Sequence, residues 1–316
     1  MQSPVSRISP ISMAASMVLA LACSTVSAQT SGGNVTVTQQ GNGNTAYAEQ
    51  FVPEPTATSS TALITQIGNN NHVGGPGSAT DGLRQINNPS GNYAEVQQTG
   101  TGNDAGLTQT GLGGIPTRGI ITQIGKANYA TLRQEDSDDM AGFIDQNGTA
   151  NVASVLQIDS GTVEGRWIQN GTGNKLVVVQ RGTSHRSPFI QQDGDGNVAE
   201  ALINENPFGG PSIRQIGTRN SASTLQFDSY ESDIGILQTG TENGASALQN
   251  GENDLAIVEQ DGVGNNGNII QYGIGHYARI GQFGNYNTAF VRQEGQNYVA
   301  NVSQIGSGNY TFVYQH

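Results

Sequence analysis

The side chains of this chain that could do acid–base or metal chemistry are few and scattered. Its four histidines, His72, His185, His276 and His316, are separated by 113, 91 and 40 positions. No pair stands four residues apart, as a helical zinc site requires, and no Gly-x-Ser-x-Gly turn offers an exposed nucleophile. Carboxylates gather at Asp136, Asp138 and Asp139 and at Asp193 and Asp195. Asp193-Gly-Asp-Gly-Asn197 resembles half a calcium loop, but the glutamate that closes such a loop at position twelve is missing. Gly-Gly-x-Gly-x-Asp arrays, which bind calcium between solenoid turns, are also missing. These acids therefore read as solvated turn residues. A second role is open to them and to Asp159, Asp228 and Asp233: like charges in successive layers repel and slow stacking. No catalytic residue, metal or cofactor is expected.

The chemistry that does repeat is that of the amide. Glutamine recurs every eleven residues at Gln238, Gln249, Gln260, Gln271, Gln282, Gln293, Gln304 and Gln315. Glycine follows two places later at most of these, then Asn or Asp three places on, then often alanine seven places after the glutamine (Ala245, Ala256, Ala278, Ala289, Ala300). A primary amide has both donor and acceptor, so a column of them can bond indefinitely along one line. Such a column needs identical elements stacked in register.

The elements that must position these amides are short strands. Ala153, Val155 and Gln157, or Ala289, Val291 and Gln293, lie at i, i+2 and i+4 and share one face of a strand. The following Gly accepts positive φ, and Asn or Asp caps the turn. A half-unit of eleven residues has room for a strand of about five. Gly and Asn every few residues disfavour a helix. The fold class predicted is all-β: a β-solenoid of strand-turn-strand layers forming two facing parallel sheets. Small inward residues would let the sheets approach.

Clear half-units run Gln98–Gln109, Gln123–Gln134, Gln146–Gln157, Gln169–Gln180, Gln192–Ile203, Gln215–Gln226 and Gln238–Gln249. Links between them are mostly twelve residues, fourteen from Gln109 to Gln123, and eleven after Gln249. The repeat is therefore 22–23 residues, with units starting at Gln98, Gln123, Gln146, Gln169, Gln192, Gln215, Gln238, Gln260, Gln282 and Gln304. These ten, with Gln249, Gln271, Gln293 and Gln315, are the expected stacking ladder. The expected turn residues are Gly125 with Asn128, Gly148 with Asn151, Gly171 with Asn174, Gly240 with Asn243, Gly284 with Asn287 and Gly306 with Asn309.

Composition agrees with a repetitive chain. Of 316 residues only 34% are hydrophobic and 12% charged, against roughly 45–50% and about 25% in ordinary domains. The net charge is -12, with 13 basic residues and no basic cluster, which argues against nucleic-acid binding. Residues 1–28 read as a signal peptide: Arg7, an apolar run from Ile11 to Ala22, then Val26-Ser27-Ala28 before a cut. The run is too short to span a bilayer, and no later segment is long enough. A lipoprotein signal at Cys23 is the lesser reading, since Ala20 stands where leucine is usual. Cys23 is the one cysteine, so a chain beginning at Gln29 has none and carries no disulfide. Residues 29–97 hold one good unit (Gln39, Gly41, Asn44, Ala46, Gln50) and two interrupted ones around Gln66 and Gln85. Pro53, Pro55, Pro76 and Pro89 break the register there, predicting bulged loops or ragged layers. Residues 98–316 form the regular part.

The motif Gln-x-Gly-x-x-Asn-x-Ala-x-x-x-Gln resembles the curlin repeat of curli fibre subunits. It stands at Gln39–Gln50, Gln98–Gln109, Gln123–Gln134, Gln146–Gln157, Gln215–Gln226, Gln238–Gln249 and Gln282–Gln293. The resemblance implies a secreted subunit that polymerises with itself as a functional amyloid on the cell surface. It would be served by an outer-membrane secretion pore and a nucleator subunit, with no nucleic-acid or membrane-spanning partner. Curlin units usually carry Ser six residues before the first Gln. Here that place holds Thr117, Met140, Val163, Arg186, Gly209, Ser232, Asp254, His276 or Tyr298. The nucleator tends to end in a basic segment; this chain ends Asn309-Tyr-Thr-Phe-Val-Tyr-Gln-His316, closer to the major subunit. Two alternatives remain: the nucleator itself, and a monomeric solenoid adhesin or carbohydrate-binding protein. In the latter, Trp167, Phe227, Phe283, Phe290, Tyr310, Phe312 and Tyr314 would form an outward aromatic strip. As end-layer packing, Tyr310, Phe312 and Tyr314 would instead make a sticky edge.

Overall fold

A computed structural model describes residues 15–17, 23–30, 33–51, 60–86, 91–111, 116–136, 138–184, 188–206 and 208–316. Pro53, Pro55, Pro89, His185, Arg186 and most of the expected signal peptide lie outside the described residues. Among the described residues the chain is all-β, a solenoid of two sheets with 13 and 14 strands. From Tyr93 onward consecutive strands alternate between the sheets, so each coil contributes one strand to each. The first sheet runs from Gly33–Gln40 through Ser60–Asn69 and Tyr93–Thr101 to Val299–Ser307, all pairs parallel. The second runs from Thr45–Phe51 to Tyr310–Gln315, also parallel. At the N-terminal end Cys23–Thr30 lies antiparallel on Gly33–Gln40, and Ala15–Met17 antiparallel on Thr45–Phe51.

Except beside Ile203, the register places each glutamine of the repeat next to its counterpart: Gln98 by Gln123, Gln123 by Gln146, Gln271 by Gln293. Alternation along each strand does the rest. In Tyr129–Glu135 the side chains of Ala130, Leu132 and Gln134 are buried and those between them are not. Strands are longer than the five residues expected. Thr288–Gln296 has nine, because pairing continues past the glutamine through the glycine of the turn.

The core between the sheets is one continuous apolar cluster of stacked Ala, Val, Leu and Ile. Trp167 lies inside it, fully buried. The expectation of an outward or end-layer tryptophan is therefore corrected. The inner row of the first sheet has glycine at Gly142 and Gly165, and a Cβ on Gly165 would come within 2.3 Å of the indole. The missing side chain is what makes room for the ring.

In the interrupted region, His72–Val73 and Leu83–Ile86 together fill one layer of the second sheet. The residues between them fold back over that sheet's outer surface. Asp104 holds them: its carboxylate accepts Ser78 Oγ and Ala79 N, each at 2.6 Å.

Candidate functional site

The turn from the first sheet to the second is built from a glycine and an asparagine in every layer. Gly148 has φ 136° and Gly284 has φ 129°, values that L side chains avoid. A Cβ on either would meet the carbonyl oxygen of the next layer's glycine, at 1.9 Å for Gly148 and 2.0 Å for Gly284. Gly125, Gly171 and Gly240 share this geometry at φ 119°, 113° and 112°. Gly306, at φ 101°, has no following layer against it. Layers can be this close only because the position is glycine.

The turn asparagines bond to one another. Asn128 N and Nδ2 donate to Asn103 Oδ1, both at 3.1 Å, and Asn128 Nδ2 also donates to the Gly148 carbonyl at 3.0 Å. Asn151, Asn174, Asn243, Asn287 and Asn309 each give their backbone N–H to the asparagine of the preceding layer at 3.0–3.1 Å.

Glutamines run the other way. In the first sheet, Gln98 Nε2 donates to Gln123 Oε1, Gln123 to Gln146, Gln146 to Gln169 and Gln169 to Gln192, at 2.7–2.9 Å. The line continues through Gln215, Gln238, Gln260 and Gln282 to Gln304 at 2.8–2.9 Å. In the second sheet Gln249, Gln271, Gln293 and Gln315 are joined at 2.8–3.0 Å. The second amide hydrogen crosses the core: Gln146 Nε2 also donates to the Tyr129 carbonyl at 3.0 Å. An amide placed like Gln146 is thus bonded along the column and across it, which removes the cost of about 1–3 kcal/mol for leaving such a group unpaired. The periodicity does not reveal that the two columns have opposite polarity.

One rung is missing. Ile203 takes the glutamine position in the second sheet, between Gln180 and Gln226. Gln180 turns its amide to Thr183 Oγ1 at 2.6 Å. Gln226 Oε1 is buried with no hydrogen-bond partner among the described residues, as are Thr224 Oγ1 and Asn206 Oδ1 nearby.

The turn from the second sheet back to the first is more varied. Met140 and Val163 fill its inner position with apolar bulk. Asp136, Asp159 and Asp228 occupy left-handed positions with φ 47°, which aspartate tolerates. Toward the C-terminus the inner position becomes Ser232, Asp254, His276 and Tyr298. Asp254 N donates to Ser232 Oγ at 3.1 Å, His276 N to Asp254 Oδ1 at 2.8 Å and Tyr298 N to His276 Nδ1 at 3.3 Å. Burial pushes the Asp254 carboxyl up from 3.8 to about 6, opposed by the His276 N–H it accepts and by the imidazole charge.

The remaining candidates are dispersed. His72 Nδ1 lies 2.7 Å from Thr45 Oγ1, and His316 stacks on Tyr314 in the last layer. Among the described residues no three His, Cys, Asp or Glu side chains are grouped to hold a metal ion. Asp193 accepts Asn170 Nδ2 at 2.6 Å, and Asp195 accepts Thr172 N at 3.1 Å, both from the turn of the preceding layer. Phe290 and Phe312 stack in adjacent layers on the outer face of the second sheet, 5.2 Å apart. Tyr310, Phe312 and Tyr314 are exposed on the last strand. Among the described residues no helix is long and apolar enough to cross a membrane.

Comparison with known proteins bears on the repeat. No curated protein matches the chain. The family model described as the curlin associated repeat matches residues 263–295, a segment that holds Asn265, Gln271, Gln282, Gly284, Asn287 and Gln293. Residues 263–295 are thus similar to the curlin associated repeat, and the neighbouring layers keep the same register of glutamine, glycine and asparagine.

Proposed function

We propose that this chain is the structural subunit of a secreted, curli-type amyloid fibre that supports surface adhesion, cell aggregation and a biofilm matrix. The observation that carries the reading is the open C-terminal layer. Among the described residues, Val299–Ser307 and Tyr310–Gln315 each pair with a strand on one side only. Its inward residues Ala300 and Val302 are already covered from one side, while Val299 and Ile305 are exposed. An uncapped solenoid end offers unpaired strand groups to another chain. The partner that fits best is a second copy, since columns of the same composition begin at Gln39 and Asn44. Gln39 Nε2 donates to Gln66 at 2.6 Å, so its own column leads inward from that end. A nucleator subunit and an outer-membrane secretion pore are the further partners this reading entails.

Purified chain lacking residues 1–28 should form fibres that bind amyloid dyes. A chain that stays monomeric at high concentration would refute the reading.

One observation favours a second reading, a monomeric solenoid adhesin. The insertion pinned by Asp104 borders a groove of about 360 Å³ lined by Thr80, Asp81, Tyr129 and Arg133. Deleting residues 74–82 should abolish surface binding under this reading and leave fibre growth intact under the first.

A further inference from the structure

In the glycine–asparagine turn, each asparagine amide does two things. Its Oδ1 accepts the next layer's N–H, and its Nδ2 donates to the next layer's glycine carbonyl, as Asn243 does to Gly262 at 3.0 Å and Asn265 to Gly284 at 2.7 Å. Asp254 occupies the matching place in the opposite turn, three residues after Gly251, as Asn243 is three after Gly240. Its Oδ1 accepts the next layer's N–H, from His276, at 2.8 Å. Its Oδ2 stands where the asparagine donor would be, is buried, and has no hydrogen-bond partner among the described residues. An ionised carboxylate has nothing to donate there; a protonated one has.

We propose that Asp254 is a proton-dependent rung: as the neutral acid it closes the C-terminal turn the way asparagine closes the other, and as the carboxylate it leaves that turn loose. The groups around it are few. Ser232 faces it from the preceding layer and the His276 imidazole from the following one, while Glu231 and Glu252 flank the turn from its exposed side. The raised carboxyl fits this geometry. The sign follows from linkage. A carboxyl held above its unfolded value of 3.8 favours the fold most below that value, and the gain is lost as pH rises through about 6. Acid therefore tightens this turn. His276 faces the same turn, where its Nδ1 accepts the Tyr298 N–H, and substitution separates the contributions of the two residues. None of this depends on whether the chain polymerises.

The test is hydrogen–deuterium exchange of the full chain from pH 5 to pH 8, read at the His276 amide and corrected for intrinsic exchange. Wild type should open about tenfold more often at pH 8 than at pH 5, a change equal to one pKa unit of coupling. Asp254→Asn should be protected at every pH, at least as well as wild type at pH 5. His276→Asn should keep the wild-type dependence. The proposal is overturned if wild type shows no pH dependence, if Asp254→Asn shows the same slope as wild type, or if the slope disappears in His276→Asn alone.

Discussion

At the scale of single residues, two positions carry more structural weight than their size suggests. Gly284 cannot gain a Cβ without driving it into the Gly306 carbonyl, and its φ of 129° is closed to alanine. Gly284→Ala should cost about 1–3 kcal/mol, from strain of this kind, and lower the denaturant midpoint accordingly. The loss should be visible as faster exchange in the C-terminal layers. Trp167 is the one tryptophan of the chain, so its fluorescence reports the core directly. Emission should be blue-shifted and shielded from aqueous quenchers, and Trp167→Ala should destabilise by about 3–5 kcal/mol through the cavity it leaves. Trp167 also shows what was legible. It stands two places before Gln169 and so has inward parity, and Gly165 two places earlier marks the vacated space. That parity keeps it out of an aromatic strip on the surface. The Asp254–His276 pair was harder to see. Its meaning depends on which atoms of the asparagine turn it replaces, and no spacing states that.

Among elements, the strand and its two turns behave differently. The eleven-residue glutamine spacing encodes strands, sheet pairing and register together, because a glutamine buried at period 22–23 is tolerable only if another lies beside it. The polarity of the columns is not encoded, since Gln-to-Gln and Asn-to-Asn lines look alike in sequence. Nor does the motif predict the second turn, where the inner position passes from Met140 and Val163 to Ser232, Asp254 and His276. The break at Ile203 falls between these levels: the odd residue is plain, but its consequence, a buried unpartnered Gln226 Oε1 beside Thr224 and Asn206, needs the structure. Ala201 and Ala247 are buried on either side of Thr224 in the adjoining strands. These layers should exchange amide hydrogens faster than their neighbours. Ile203→Gln should give Gln226 a donor and stabilise them by about 0.5–1.5 kcal/mol, the net worth of one hydrogen bond. Exchange rates at Ser221–Phe227 in the two proteins check this.

For the whole molecule, the two ends are not alike. Among the described residues, the C-terminal layer is paired on one side only. The first parallel layer is covered by Cys23–Thr30, of which only Gln29 and Thr30 would remain after cleavage at Ala28. Precursor retaining residues 1–28 should therefore elongate seeds more slowly than the cut chain, in a dye-binding assay with matched concentrations. Elongation also tests the columns. Replacing Gln249, Gln271 and Gln293 with Leu removes three rungs of one column, joined now at 3.0 Å, and should slow or misregister assembly. Unchanged kinetics and yield would mean that the amides stabilise the layer but do not guide its addition.

Everything rests on layers that continue from one molecule into the next. The most direct measurement is diffraction from aligned fibres of the chain without residues 1–28. The account predicts a reflection at about 4.7–4.8 Å along the fibre axis, from stacked layers, and one at about 10 Å across it, from facing sheets. A fibre whose 4.7 Å spacing ran perpendicular to its axis would contradict it, because the solenoid axis would then not be the axis of growth.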